Sequence, residues 1–125
     1  MLRIFIVDDD QSLQRLYTLI LKEAGYEIID VAINGKDAVE KYSKFNEKPE
    51  IILMDHRMPI KNGLDAMVEI LRINNNTKII FASADISVKQ KALSLGACEF
   101  LDKPFKMIKL LNVIQKVADG LIIER

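Results

Sequence analysis

Apolar runs and amphipathic stretches alternate along the whole chain. The runs at residues 4–7, 51–54 and 79–82 are short, rich in isoleucine and apolar at successive positions. This pattern is typical of strands that are buried on both faces of a sheet. Two further runs, at residues 28–32 and 97–101, complete a predicted set of five strands.

The segments between and after these runs predict five helices. Apolar residues keep a helical spacing in each of them: Leu13, Leu16, Tyr17, Ile20 and Ala24; Ala38, Val39 and Tyr42; Leu64, Met67, Val68 and Leu71; Val88, Ala92 and Leu95; and Met107, Leu110, Leu111, Ile114 and Ala118. Gly25 follows the first of these segments and is predicted to end its helix.

A strand followed by a helix, five times over in 125 residues, predicts a single α/β domain over residues 1–125. Right-handed crossovers leave few arrangements of five parallel strands. We expect the doubly wound strand order 2-1-3-4-5 with helices on both faces. Ligands bind such sheets at the carboxyl ends of the strands, near the reversal in strand order. The candidate chemistry is therefore expected directly after residues 7, 54, 82 and 101.

Composition narrows the class of protein. Lys+Arg and Asp+Glu each number 18, so the formal net charge is zero, which argues against direct nucleic-acid binding through an overall basic charge. Cys98 is the only cysteine, which excludes a disulfide framework and favours a reducing, cytoplasmic setting. The sequence shows no targeting signal and no apolar stretch of membrane-spanning length, so we expect a soluble protein that does not act on membranes.

Acidic, hydroxyl and basic side chains follow four of the predicted strands: Asp8, Asp9 and Asp10 the first, Asp55 the third, Ser83 the fourth, and Lys103 with Pro104 the fifth. Strands 1 and 3 are predicted neighbours, so Asp8, Asp9 and Asp55 converge. Such carboxylates raise one another's pKa unless a cation neutralises them, and oxygen ligands suit a hard divalent ion, Mg²⁺ or Mn²⁺. Asp10 lies nearest the first helical turn and is predicted to cap that helix.

The sequence resembles the receiver domain of two-component response regulators over essentially all of its length. The matching segments are Ile6-Val7-Asp8-Asp9-Asp10, Ile52-Leu53-Met54-Asp55 with Met58-Pro59 and Gly63, Phe81-Ala82-Ser83-Ala84, Gly96-Ala97, and Lys103-Pro104-Phe105. Each segment is a weak signal, but their order and spacing together are specific. The resemblance implies a flavodoxin-like fold and a phospho-accepting signalling domain that catalyses only its own phosphorylation and dephosphorylation.

The resemblance implies that Asp55 accepts a phosphoryl group from a phosphohistidine. The donor would be a sensor histidine kinase or a His-phosphotransfer protein. Mg²⁺ would be held by Asp8, Asp9, Asp55 and the backbone carbonyl of Arg57. These roles agree with the physics, because phosphoryl transfer needs positioning and charge neutralisation more than covalent help from the protein.

The resemblance also implies a switch. Ser83 and Lys103 would contact the phosphoryl oxygens, and the bond between Lys103 and Pro104 would be cis. Movement of the Ser83 hydroxyl would let Phe100 turn inward and repack the face formed by the fourth helix, fifth strand and fifth helix. The expected output is a change in binding to an unknown output protein or domain, with a homodimer through the same face as a further hypothesis.

Several side chains near the site have open roles. The Arg57 side chain is expected either to shield the phosphoryl edge from water or to pair with Asp85. His56 is the only histidine, and an ordinary structural role is favoured because Mg²⁺ prefers oxygen ligands. The apolar residues 121–123 are expected to extend the last helix, cover part of the core, or mark a contact with a second copy or a downstream domain.

Three other functional classes are weighed against this interpretation. A haloacid-dehalogenase-type phosphatase would use the Asp8-x-Asp10 pair with Asp8 as the nucleophile, but it would leave Asp55 without a role. A flavin or nucleotide binder would need a glycine- or hydroxyl-rich phosphate loop, where this chain has three carboxylates that repel phosphate. A scaffold that is never phosphorylated would not require the complete set of site residues.

Overall fold

The structure is a computed structural model that describes the backbone of residues 1–124 and the side chains of residues 1–121. Within these residues strands and helices alternate: β1 (Arg3–Val7), α1 (Gln11–Glu23), β2 (Glu27–Ala32), α2 (Gly35–Lys44), β3 (Ile51–Asp55), α3 (Gly63–Ile73), β4 (Lys78–Ser83), α4 (Lys89–Leu95), β5 (Glu99–Asp102) and α5 (Met107–Glu124). A short 3₁₀ turn, Ile86–Val88, precedes α4.

The five strands form one parallel sheet in the order β2-β1-β3-β4-β5, which confirms the predicted topology. The strand order reverses between β1 and β3, which pair in register from Ile4 opposite Ile51 to Val7 opposite Met54. Because both strands are central, every residue of β3 is buried. The carboxyl ends of β1 and β3 therefore lie side by side.

Alternate residues of each strand enter two separate cores, because successive side chains point to opposite faces of a sheet. One core packs α2, α3 and α4 on the face that carries Phe5, Ile52 and Phe81. The other packs α1 and α5 on the face that carries Ile6 and Leu53. Burial on both faces explains why β1, β3 and β4 are apolar at successive positions.

The start of α1 is set by Asp10, whose carboxylate accepts hydrogen bonds from the backbone N–H groups of Ser12 at 2.9 Å and Leu13 at 3.2 Å. This confirms Asp10 as the helix cap. The helix ends before Gly25, which has φ +98°, a conformation that favours glycine.

Three residues predicted on buried helix faces are exposed: Leu16, Ala24 and Leu95. Leu16 and Ala24 were expected inside because they share a helical spacing with Tyr17, but Gln14, Tyr17 and Leu21 form the buried face of α1. Ala24 is the C-terminal cap of that helix. In α1, Leu16 therefore lies beside the buried face and not on it, and Ala24 lies at the end of the helix.

The last strand starts later than predicted. β5 begins at Glu99, whereas the sequence predicted it from residue 97. The N–H of Ala97 donates to the carbonyl of Ala92 at 3.0 Å and so still belongs to the termination of α4. Cys98 donates its N–H to Ile79 at 2.9 Å, just before the strand begins.

The last helix continues to Glu124, so residues 121–123 extend α5 as one of the alternatives predicted. Leu121 is half-buried against the core on the α1 and α5 face. The side chains of residues 122 and 123 lie outside the described residues. Within the described part of the chain, no helix combines the length and apolar character needed to cross a membrane.

Candidate functional site

The sheet brings the predicted site residues to one edge. Asp55 and Ser83 are the last residues of β3 and β4, and Asp8 directly follows β1. Lys103 directly follows β5, and its N–H donates to the carbonyl of Ser83 at 3.0 Å. Four separate strands thus contribute one polar side chain each to the same edge.

A lysine lies between two buried carboxylates. Nζ of Lys103 is 3.0 Å from Oδ2 of Asp8 and 3.1 Å from Oδ1 of Asp55. Asp8 is 2% exposed and Asp55 is 8% exposed, so little water screens these charges. One ammonium thus compensates two carboxylates.

Burial and the neighbouring charges shift the pKa values of both Asp55 and Lys103. Burial raises the pKa of the Asp55 carboxyl to about 6, with Lys103 opposing the shift and Asp8 adding to it. Burial also opposes the charge on Lys103, but the carboxylates of Asp55 and Asp8 outweigh it and raise the pKa of the ammonium. The site therefore holds a net excess of negative charge that a further cation would relieve.

Asp9 completes the acidic cluster. One carboxylate oxygen each from Asp8, Asp9 and Asp55 lie within 4.8 Å of one another. Asp9 is exposed and the other two are buried, so the cluster opens to solvent on one side. Three converging carboxylates are the donor set that a hard divalent cation prefers, and the predicted convergence is observed.

The loop after β3 is packed closely against Asp55. The N–H of Gly63 donates to the carbonyl of His56 at 2.9 Å, and a Cβ at Gly63 would overlap the carbonyl oxygen of Asp55. The loop also contains a tight turn at Ile60, which has φ +72° and is closed by a 2.7 Å hydrogen bond from the N–H of Lys61 to the carbonyl of Pro59. A glycine at position 63 is thus required for the observed position of Asp55.

Ser83 is buried at the end of β4, where its Oγ accepts a hydrogen bond from the N–H of Asp85 at 3.0 Å. The guanidinium of Arg57 lies 3.5 Å from the carboxylate of Asp85. Of the two predicted alternatives for Arg57, pairing with Asp85 is the one observed. The Arg57 side chain is 82% exposed, so this pair contributes little to stability.

An aromatic row runs along the sheet from the residue after Asp55 to β5. The His56 ring lies 5.7 Å from the ring of Phe81, and Phe81 is stacked on Phe100 at 6.1 Å. Phe100 is half-buried. Burial lowers the pKa of His56, and its Nδ1 has no hydrogen-bond partner among the described residues. His56 is therefore packed as an aromatic side chain rather than directed at the carboxylates.

The bond between Lys103 and Pro104 is cis, as the resemblance implied. Phe105 follows it and stacks on Tyr17 of α1 at 6.0 Å, with the rings 12° from parallel. Burial raises the pKa of the Tyr17 hydroxyl to about 12. In the sequence Tyr17 is only one of the residues that keep the helical spacing of the first helix, and that spacing did not indicate this contact with the loop of Lys103.

The fold and this site define a class of protein. Residues 4–115 match the family model of the response regulator receiver domain. The chain belongs to the receiver domains of two-component response regulators. It is 40% identical over 118 residues to the chemotaxis protein CheY of Thermotoga maritima, an alignment that covers 93% of this chain and 97% of that protein.

Solved structures agree with this assignment. The fold matches CheY in the CheX-CheY-BeF3-Mg²⁺ complex from Borrelia burgdorferi with a TM-score of 0.88, 30% identity, and coverage of 93% of this chain and 88% of that one. It matches the response regulator protein TrrA from Thermotoga maritima, in complex with Mg²⁺ and BeF, with a TM-score of 0.83, 32% identity, and coverage of 94% and 99%. The chain is thus similar to single-domain, CheY-like receivers.

Proposed function

We propose that this chain is a signalling receiver that accepts a phosphoryl group on Asp55 from a phosphohistidine of a partner protein. The observation that carries the proposal is the position of Lys103, with its ammonium 3.1 Å from Asp55 and 3.0 Å from Asp8. The ammonium lies where it would neutralise a phosphoryl group attached to Asp55. Residues 1–125 form one receiver domain in this proposal, which is not an enzyme acting on other substrates.

The acidic cluster is proposed to hold Mg²⁺, or Mn²⁺ in its place. The ligands are the carboxylates of Asp8, Asp9 and Asp55 and the backbone carbonyl of Arg57. The three carboxylates fit because their oxygens lie within 4.8 Å of one another and are hard oxygen donors. When bound, the ion would neutralise charge that develops on the transferring phosphoryl oxygens.

Asp55 supplies the nucleophile. One of its carboxylate oxygens attacks the phosphorus in line with the donor's imidazole nitrogen, so a P–O bond forms as the P–N bond breaks. The electron pair of the P–N bond remains on the imidazole ring, whose other nitrogen carries a proton, and neutral histidine leaves. The Lys103 ammonium and the Ser83 hydroxyl donate to the phosphoryl oxygens. Water later hydrolyses the acyl phosphate and restores the Asp55 carboxylate.

Ser83 and Phe100 are proposed to form the switch. In the structure Oγ of Ser83 accepts from the N–H of Asp85, and Phe100 is only partly buried against Phe81. If the phosphoryl group draws the Ser83 hydroxyl away, space opens beside β4 and Phe100 turns inward. The surface formed by α4, β5 and α5 then repacks as a two-state element.

The proposed partners follow from this chemistry. A sensor histidine kinase or a His-phosphotransfer protein donates the phosphoryl group, and a separate output protein or domain binds the repacked α4, β5 and α5 surface. A homodimer through that surface is the alternative readout. A CheY of Borrelia burgdorferi, at 30% identity, is in complex with CheX, Mg²⁺ and BeF3, which supports a protein target.

Intact mass spectrometry tests the proposal. Wild type, Asp55→Asn and Asp8→Asn are incubated with acetyl phosphate and Mg²⁺, with and without EDTA. We expect the mass of one phosphoryl group on wild type, lost in EDTA and in Asp55→Asn. Modification that survives in Asp55→Asn and disappears in Asp8→Asn would support the phosphatase-like alternative instead.

A further inference from the structure

Gln14 is a buried polar residue on the apolar face of α1. Its Nε2 donates to the backbone carbonyl of Asp8 at 2.5 Å and to that of Ala32 at 3.0 Å. The pairing between β1 and β2 ends at Val7 opposite Ala32, so the amide bridges the two strands where the chain leaves the sheet. Gln14 thus contacts the main chain at Asp8, where the chain leaves β1 and the acidic cluster begins.

Asp8 is held at several atoms around this point. Its N–H donates to the carbonyl of Ala32 at 3.0 Å, and its Oδ1 accepts from the N–H of Asp10 at 2.9 Å. Oδ2 accepts from Lys103. The remaining backbone group of Asp8, its carbonyl, accepts from the side-chain amide of Gln14. This amide therefore fixes the main chain from which the Asp8 carboxylate extends towards Asp55.

We propose that Gln14 is a positioning residue for the divalent-ion site, an inference that rests on the proposed function. Its amide keeps the Asp8 carboxylate within reach of those of Asp9 and Asp55. A side chain of the same length without a donor would remove the hydrogen bond to the buried carbonyl of Asp8, while the carbonyl of Ala32 would keep the one from the N–H of Asp8. The main chain at Asp8 would then shift towards another donor and carry the carboxylate with it.

The expected effect is on affinity for the ion. Substitution of a group that orients a metal ligand without touching the metal commonly lowers the affinity for the metal by about 10–100-fold. The amide touches only the main chain of Asp8, so we expect the lower part of that range. At saturating Mg²⁺ the maximum rate of phosphorylation by acetyl phosphate should return to the wild-type value, because Asp55 and Lys103 are unchanged.

A matched control separates positioning from general destabilisation. Thr77 is also buried, and its hydroxyl donates to the carbonyl of Pro49 at 3.0 Å and contacts the hydroxyl of Tyr42 at 2.5 Å. It precedes β4 and so lies at the opposite edge of the sheet from Asp55. Thr77→Val removes buried hydrogen bonds as Gln14→Met does, but far from the acidic cluster.

Calorimetric titration of the unphosphorylated full chain with MgCl₂ tests the inference. We expect Gln14→Met to weaken Mg²⁺ binding by about tenfold and Thr77→Val to bind as wild type does, although both variants lose thermal stability. If Gln14→Met does not fold, Gln14→Asn takes its place, since its amide is one methylene too short to bridge both carbonyls.

The outcomes distinguish the inference from the proposed function. Wild-type affinity in the Gln14 variant, or an equal loss in Thr77→Val, overturns the positioning role. A wild-type chain that binds no Mg²⁺ contradicts the proposed function itself and the inference with it.

Discussion

Nζ of Lys103 lies 3.1 Å from Oδ1 of Asp55, although 48 residues separate them in the sequence. The contact forms because β3 and β5 end at the same edge of the sheet, on either side of β4. The same ammonium also contacts Asp8, so the two acids compete for one cation. Much of the chemistry proposed for the site depends on this shared contact.

Removal of the Lys103 ammonium should lower the rate of phosphorylation without lowering the affinity for Mg²⁺. We expect Lys103→Met to slow phosphorylation by acetyl phosphate about 100-fold, since one preorganised charge on the transferring group is lost. Mg²⁺ affinity should rise, because a competing cation leaves the acidic cluster. Rates come from intact mass over time, and affinity from calorimetry. Lys106→Met, which removes an exposed lysine, is the control, and equal rates in all three proteins would contradict the role of Lys103.

Asp55→Asn should stabilise the fold at pH 7.5 in the absence of divalent ions. Burial raises the pKa of Asp55 to about 6, above the value of about 3.9 expected in the unfolded chain. The native state therefore binds this proton more tightly, and the cost of the charge is fully present above pH 6 and disappears below about pH 4. We expect a gain of about 1–3 kcal/mol in the free energy of unfolding.

Urea denaturation at pH 7.5 and at pH 4.5 measures this gain, which should shrink at the lower pH. Asp102→Asn, at an exposed residue of β5, controls for the loss of a carboxylate as such. A stabilisation that is equal at both pH values would contradict the assignment to Asp55.

The affinity for Mg²⁺ should depend on pH. Mg²⁺ binds the deprotonated carboxylate of Asp55, whose pKa is about 6. Below that pH the ion must displace the proton in order to bind. Affinity should be constant well above that value and fall by about tenfold per pH unit below it, as expected for release of one proton. Calorimetry between pH 5 and pH 8 measures this. The dependence should be absent in Asp55→Asn, and a flat profile in wild type would contradict it.

Packing of the loop after β3 gives a prediction on stability. Gly63→Ala places a methyl group against the backbone of Asp55 and His56, so we expect a loss of about 1–3 kcal/mol of unfolding free energy and slower phosphorylation. Gly120→Ala is the matched control, because a Cβ there meets no atom of the described residues within 4 Å. In the interior of α5 it should stabilise by about 0.5–1 kcal/mol. Equal effects of the two substitutions would contradict the packing argument.

The proposed switch predicts that a variant without the Ser83 hydroxyl binds Mg²⁺ but does not change conformation when beryllofluoride is added. Ser83→Ala should retain Mg²⁺ affinity, since the hydroxyl is not among the proposed ligands. Addition of beryllofluoride should then no longer change amide hydrogen exchange in α4 and β5, as it does in wild type. Thr18→Ala, which removes a hydroxyl from α1, serves as the control. An undiminished response in Ser83→Ala would exclude the hydroxyl from the switch.

The fold could be predicted because burial on both faces forces a recognisable pattern. Residues 51–54 are apolar at every position because β3 is covered by two helix layers. The carboxyl ends of parallel strands lie at the same edge of a sheet, whatever the conformation of the loops. The proximity of Asp8, Asp55 and Lys103 therefore followed from topology alone.

Contacts that depend on a single side chain could not be predicted in this way. Gln14 is polar at a core position, where its amide donates to the carbonyls of Asp8 and Ala32 at the ends of β1 and β2. Hydrophobic periodicity gives no sign of such a contact. In the sequence Gln14 lies between Leu13 and Arg15, and nothing in this context marks it as buried. The stacking of Tyr17 on Phe105 likewise depends on how α1 meets the loop after β5.

The most direct test of the central claim is to identify the phosphorylated residue. Protein incubated with acetyl phosphate and Mg²⁺ is treated with borohydride, which reduces an aspartyl phosphate to homoserine, and the peptides are sequenced by mass spectrometry. We predict homoserine at position 55 alone, absent when EDTA is present during phosphorylation. Homoserine at position 8, or a phosphoryl group that borohydride does not remove, would contradict the account.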